Sequence, residues 1–217
     1  MISGDSPKYL LAVVSFSGML ALQNFALWPV FLTKLGQEWA LNNTDIGLIS
    51  GAFFFGYLIA TPLLVGLTDR VDARLIFVGG CAFSSMGCLL FALTAVDFWS
   101  AAMAWALVGV GLAGTYMPGL QILNGRLDNT DRVRAVPWYT SCFGIGTGLS
   151  FALMGVFLAY SDYRLAALVC SASAFLAALI VLIYVQPNAM KPLPKTQKQR
   201  HPLDLRPAFR KPVALGY

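Results

Sequence analysis

Few residues in this sequence can do chemistry, and most of them interrupt long apolar stretches. Gln23 and Asn24 break into the first stretch and are followed by Trp28-Pro29. Tyr57 lies in the second, Tyr116 in the fourth close to Pro118, and Trp138, Tyr139 and Thr140 near the start of the fifth. Their amides, indoles and hydroxyls can exchange hydrogen bonds but carry no fixed charge. Catalysis at such depth needs paired acids, a Ser/His or Cys/His set, or metal ligands. None of these sets lies in the apolar stretches. His201 is the one histidine and falls in the tail, and the four cysteines (Cys81, Cys88, Cys142 and Cys170) show no CxxC spacing. The cysteines read as small apolar packing residues. The pattern points away from an enzyme, a metal and a cofactor, and towards hydrogen bonding with a solute or between helices.

The stretches that carry these residues fix the fold class. The chain has 217 residues, 58% hydrophobic and only 12% charged, with a mean hydropathy of +0.69. A soluble domain has roughly a quarter of its residues charged. Asp, Glu, Lys, Arg and His are absent from residues 9–32, 46–67, 75–96, 98–125, 136–161 and 165–186. Each stretch matches or exceeds the roughly 20 residues a helix needs to cross a ~30 Å hydrocarbon core. Barrel strands would be segments of about ten residues with alternating polarity. Without water the backbone must satisfy its own hydrogen bonds, so the spans are helices. The first is longer than the 7–15-residue core of a signal peptide and is read as a retained helix. The sequence thus predicts an all-α membrane protein with a six-helix bundle over residues 1–185.

Charge sets the orientation. Of fifteen Lys and Arg, all but Lys34 and Arg164 fall at the N-terminus, in the second–third and fourth–fifth loops, and in the tail. This positive-inside bias predicts a multi-pass protein of the plasma (inner) membrane with both ends in the cytoplasm. The net charge of +5 then calls for anionic lipid headgroups rather than nucleic acid. Residues 186–212, dense in proline and basic residues, read as an extended cytoplasmic linker. Val213–Tyr217 read as the start of a seventh helix, on which the chain is truncated. Gly144 and Gly148 form a GxxxG in the fifth stretch, a spacing that lets two helices approach closely. The echo of Thr68-Asp-Arg-Val-Asp-Ala73 in Thr130-Asp-Arg-Val-Arg-Ala135 is read as similar loop chemistry rather than a repeat.

Six helices, cytoplasmic ends, a basic linker and a charged turn after helix two together resemble the N-terminal half of the major facilitator superfamily. The turn Pro62-Leu-Leu-Val-Gly-Leu-Thr-Asp-Arg-Val-Asp-Ala-Arg74 is similar to that family's G-x-x-x-D-R-x-G-R-(R/K) signature. Asp69 and Arg70 occupy its Asp-Arg and Arg74 its last basic position. Val65 stands at the first Gly, Asp72 at the second, and Ala73 at the next Arg. Trp105 stands where the family often has an Arg on helix four, ahead of Gly109-Val-Gly-Leu-Ala-Gly114.

The resemblance implies a bundle of two inverted triplets of helices. It implies that Asp69, Arg70 and Arg74 latch the cytoplasmic side in one conformation. It places Gln23, Asn24, Tyr57 and Tyr116 on helices lining a central cavity, as candidates for binding a small-molecule substrate. It predicts a secondary transporter working by alternating access, partnered by the bilayer and by a missing C-terminal half or a second copy. A stand-alone six-helix protein that dimerises or acts as a scaffold is the alternative. No charged residue lies within the predicted spans, so coupling to an ion belongs to another part of the protein or transport is facilitative.

Overall fold

The computed structural model describes residues 6–68 and 70–187. Eight α-helices follow in order: α1 Pro7–Ala21, α2 Leu27–Glu38, α3 Asn43–Leu67, α4 Ala73–Thr94, α5 Phe98–Ala113, α6 Tyr116–Arg126, α7 Asn129–Tyr160 and α8 Tyr163–Tyr184, with a 3₁₀ turn at Leu22–Asn24 between the first two. They make six membrane spans, because α1 and α2 are two parts of one span, as are α5 and α6. The predicted linker beyond Pro187 and the predicted start of a seventh helix at 213–217 lie outside the described residues.

Local chemistry explains where the helices begin. Ser6 caps α1 ahead of Pro7, which sits where its missing N–H costs nothing. Asn42 and Asp45 form a reciprocal capping box on α3, and Asp97 and Ser100 another on α5. Asp72 caps α4 through the Arg74 amide at 3.0 Å. The Asp162 carboxylate accepts the Tyr163 amide at 2.7 Å at the head of α8. Asp128 precedes α7 in an extended conformation without a side-chain cap bond, and the helix carries Arg132 and Arg134 on its first turns.

Glycine decides how closely the spans pack. A Cβ on Gly56 would lie 2.2 Å from the Ala106 carbonyl oxygen, and one on Gly109 2.0 Å from that of Phe53. The backbones of α3 and α5 therefore touch, which matters where lipid removes the hydrophobic drive for helix association and leaves van der Waals contact in charge. A similar seam joins α4 to α5 through Gly80 and Gly114. Gly144 and Gly148 make no such close approach among the described residues. Both are exposed, and a Cβ on either would meet nothing within 4 Å. On α7 the close contact falls instead on Gly146, whose Cβ would be 3.2 Å from the Met19 Cα. Gly146 shares a face with Ser150 and Cys142, whereas Gly144 and Gly148 look away from the bundle.

Two aromatic and aliphatic cores fill the interior. One gathers Trp28, Phe31, Phe53, Phe91 and Trp105, the other Val14, Phe77, Ile122, Tyr139 and Val181. Trp105 packs its ring 5.3 Å from Phe53 and 6.1 Å from Phe91. Coverage is uneven. In the most apolar window of α3 and of α7 only 22% of residues are buried, against 44–61% in the other four spans.

Candidate substrate recess

Two of the six spans break near their middles. In the first, Pro29 has no N–H to offer the Phe25 carbonyl, which weakens the ladder there, although α3 and α7 run unbroken through Pro62 and Pro137. Leu22–Asn24 tightens to a 3₁₀ turn, with the Phe25 amide bonded to the Leu22 carbonyl at 3.0 Å. Groups freed by such a break must find partners inside the bundle. The Ser150 hydroxyl of α7 supplies them: it donates to the Gln23 carbonyl at 2.7 Å and accepts the Ala26 amide at 3.1 Å. The Cys170 thiol adds a donor to the same carbonyl at 3.3 Å.

The second break separates α5 from α6. Pro118 removes the donor that would have continued the ladder to Gly114. Gly114 ends α5, and the Thr115 hydroxyl turns back to the Leu112 carbonyl at 2.9 Å. Tyr116 opens α6 directly after the break.

Between these breaks and α7 lies a small half-open recess with room inside for about one water, ≈ 10 Å³. Its walls include Ser15, Met19, Thr115, Tyr116, Tyr139 and Phe143, none of them charged. The Tyr116 and Tyr139 rings stack at 5.8 Å with 16° between planes, and Phe143 meets Tyr116 edge-on at 4.8 Å. Tyr139 is held by its hydroxyl, which donates to the Tyr116 carbonyl at 3.3 Å. Gly119 makes room for that ring, since a Cβ there would lie 2.1 Å from the tyrosine oxygen. Ser15 is 4% exposed and its hydroxyl has no hydrogen-bond partner among the described residues.

The structure treats the four cavity candidates differently. Tyr116 is a wall of the recess. Gln23 lies at the break, and its side-chain amide donates to the Met19 carbonyl at 2.8 Å and the Gly146 carbonyl at 3.5 Å, tying α1 to α7. Asn24 is 1% exposed, with neither end of its amide bonded among the described residues. Tyr57 is half-buried on α3 against the Trp28 core, away from the recess. Ser15, Phe143 and Ser150 belong to the recess and its support but were not singled out from sequence. A serine or phenylalanine in an apolar helix carries no signal of its own, although Pro29 and Pro118 lie beside the breaks.

At the Arg-rich end of the bundle a polar cluster ties three spans together. Arg126 at the end of α6 pairs with Asp72 at 3.3 Å and donates to the Gln186 carbonyl at 2.9 Å. The Arg74 guanidinium donates to the Leu182 carbonyl in the last turn of α8. Both arginines thus sit at the negative end of α8, where cations are favoured. Of the predicted latch, Asp69 lies outside the described residues, and Arg70 is exposed with no ion-pair partner among them. Asp72, which departs from the signature, is the acid that forms the observed ion pair.

Six apolar spans, two of them broken beside a largely aromatic recess, define a multi-pass membrane protein. The chain belongs to the Major Facilitator Superfamily, which it matches over residues 13–217. It is 27% identical over 187 residues to the gentisate transporter of Corynebacterium glutamicum, covering 83% of this chain and 39% of that protein. It is 22% identical over 149 residues to a sphingosine-1-phosphate transporter of Danio rerio, covering 68% and 30%. With protein spinster homolog 1 of Homo sapiens it shares 25% over 154 residues, covering 69% and 29%. The chain therefore spans well under half the length of these curated relatives.

Proposed function

We propose that this chain forms one half of a secondary transporter that moves a small solute by alternating access, with the recess between α1, α6 and α7 as its share of the binding site. The observation that carries this reading is the pair of mid-span breaks facing one recess. Discontinuous helices at the midplane are how such transporters present polar groups to cargo. Of the cavity candidates, Tyr116 contributes a wall, Gln23 holds the break, and Asn24 is a buried amide open to a partner that arrives with another conformation. Tyr57 acts from α3 on the side facing a second bundle.

A second six-helix bundle, from the same polypeptide or another copy, covers the sparsely buried faces of α3 and α7, including Gly144 and Gly148. The Arg-rich end faces the cytoplasm of a plasma-membrane protein, by the charge bias of its loops. Asp69, Arg70 and Arg74, joined by Asp72 and Arg126, form the latch at that end. The relatives' names divide between an aromatic acid and a sphingolipid, so they do not choose the cargo. The test is uptake by the full-length protein in proteoliposomes. Saturable entry of any solute from a broad panel, gentisate and sphingosine 1-phosphate included, above empty vesicles supports a transporter, and no solute of the panel exceeding the empty-vesicle leak contradicts it.

A further inference from the structure

The exposed side chains of the spans divide by chemistry. Every exposed residue from Leu75 to Leu93 on α4 and from Leu165 to Ile183 on α8 is apolar. A face against lipid must be so, because a polar group there loses water without gaining a partner. α6 and α7 depart from this. They expose the Gln121 amide and the Thr140 and Ser141 hydroxyls within their spans. The two hydroxyls bond back to their own helix, Thr140 to the Val136 carbonyl and Ser141 to the Pro137 carbonyl, each at 3.0 Å. The Gln121 amide brings two donors and an acceptor to an exposed position, and no hydrogen bond shelters it among the described residues.

Helix geometry gathers these groups on one surface. Tyr116 of α6 and Phe143 of α7 meet edge-on at 4.8 Å. With about 3.6 residues per turn, Leu120, Asn124 and Gln121 lie successively further round α6 from Tyr116, and Thr147 and Thr140 further round α7 from Phe143. The two helices run antiparallel, joined through Leu127 and Asp128, so both progressions turn towards the same side. Exposure rises along each of them. Leu120, Asn124 and Thr147 are half-buried, whereas Gln121 and Thr140 are exposed. A wall of amides and hydroxyls thus continues outward from the Tyr116–Phe143 contact. It lies between the mid-span break at Thr115 and Arg126 at the end of α6.

Resting on the transporter reading above, we propose that this wall lines a water-filled path from the Arg-rich end of the bundle to the mid-span break, and that the Gln121 amide contacts a water-soluble cargo there. An amide donates to carbonyl or carboxylate oxygens and accepts from hydroxyls, so the path favours a solute carrying such groups. A long alkyl chain gains nothing from it.

The test uses the full-length protein with Cys142→Ser, which leaves only buried cysteines among the described residues, in sealed vesicles of each orientation. Single cysteines are introduced as Gln121→Cys and Thr140→Cys, with Phe83→Cys and Leu176→Cys as lipid-facing controls at positions 47% exposed. A membrane-impermeant thiol reagent added at the Arg-rich side is expected to label the first two at least about tenfold faster than the controls, since a thiol reacts as its thiolate and stays protonated in lipid. Rates no higher than the controls mean that lipid or a second bundle covers the wall, and they overturn the proposal. Cargo is read with a broad panel of water-soluble hydroxylated and carboxylated solutes, gentisate included, and with sphingosine 1-phosphate. At least one water-soluble solute is expected to slow the labelling of Thr140→Cys several-fold, and Gln121→Leu to raise its KM several-fold at unchanged kcat. Protection by none of these solutes, protection by sphingosine 1-phosphate alone, or an unchanged KM overturns the proposal. Labelling and protection without uptake keep the wall and contradict the transporter reading, whereas uptake without labelling does the reverse.

Discussion

The Ser150 hydroxyl of α7 and the Gln23 backbone carbonyl of the first span are bonded at 2.7 Å, and the same hydroxyl accepts the Ala26 amide at 3.1 Å. One side chain thus serves two backbone groups flanking the 3₁₀ break that precedes Pro29. The break points the next residue, Asn24, into the bundle interior, and the segment before it carries Ser15, Met19 and Leu22 along the recess. The recess therefore depends on a contact made from another span.

Ser150→Ala leaves both backbone groups without this partner. Hydrogen bonds between membrane helices contribute on average about 0.6 kcal/mol and at most about 1.7. With two bonds lost, the full-length protein in detergent should unfold several degrees earlier while still inserting. An unchanged melting temperature would mean that the break is held by other groups.

Gly119→Ala is a sharper probe of the site. Its Cβ would lie 2.1 Å from the Tyr139 oxygen, so the ring must leave its stack on Tyr116. Cargo binding should weaken about tenfold or more, consistent with the loss of an aromatic pair and a hydrogen bond. Wild-type affinity in this variant would remove Tyr139 from the site.

Gly109→Ala and Gly144→Ala separate packing within this bundle from packing against anything else. The first places a methyl group 2.0 Å from the Phe53 carbonyl oxygen, and the second meets nothing within 4 Å. Folded yield should collapse for Gly109→Ala and stay at the wild-type level for Gly144→Ala. A loss of transport at Gly144→Ala with normal yield would point to a second bundle on that face. Equal yields for the two would refute the close approach of α3 and α5.

The Asp72–Arg126 pair, with side chains 12% and 14% exposed, is mostly shielded from water. Asp72→Asn removes the carboxylate that faces Arg126 in a site where water screens the pair poorly. Asp72→Asn should slow transport several-fold without reducing insertion. The charge-swapped double variant Asp72→Arg, Arg126→Asp should recover part of the rate. An unaffected single variant would reduce the pair to a surface contact.

The architecture was plain in the sequence because lipid enforces it. Six charge-free stretches of sufficient length can only be helices, and the family resemblance carried by the turn around Arg70 and Arg74 agrees with the match over residues 13–217. The site was legible only in part. Gln23, Asn24 and Tyr116 stand out as polar or aromatic groups in apolar runs; Pro29 and Pro118 lie beside the breaks, but Pro62 and Pro137 sit in unbroken helices, so proline alone does not locate them. Which groups meet depends on helix rotation, which apolar periodicity cannot fix when both lipid and neighbouring helices are apolar. Gln23 thus proved to hold the break, and Tyr57 lies on another wall. For the same reason Gly144 and Gly148 carried a packing motif on a face where the described bundle packs nothing, while Gly56 and Gly109, spaced less conspicuously, made the contact. Asp72 was read as a departure from a signature, yet it pairs with an arginine far along the chain, which no local pattern could reveal.

The most direct measurement uses Cys142, a native wall residue of the recess, in the full-length protein in sealed vesicles of defined orientation. Cys81, Cys88 and Cys170 are fully buried, and Cys142→Ser serves as the control for them. If the recess is a cargo site opened to each side in turn, a membrane-impermeant thiol reagent should modify Cys142 from either face, and more slowly once cargo is bound. Modification from one face only, at a rate indifferent to cargo, would contradict alternating access through this recess.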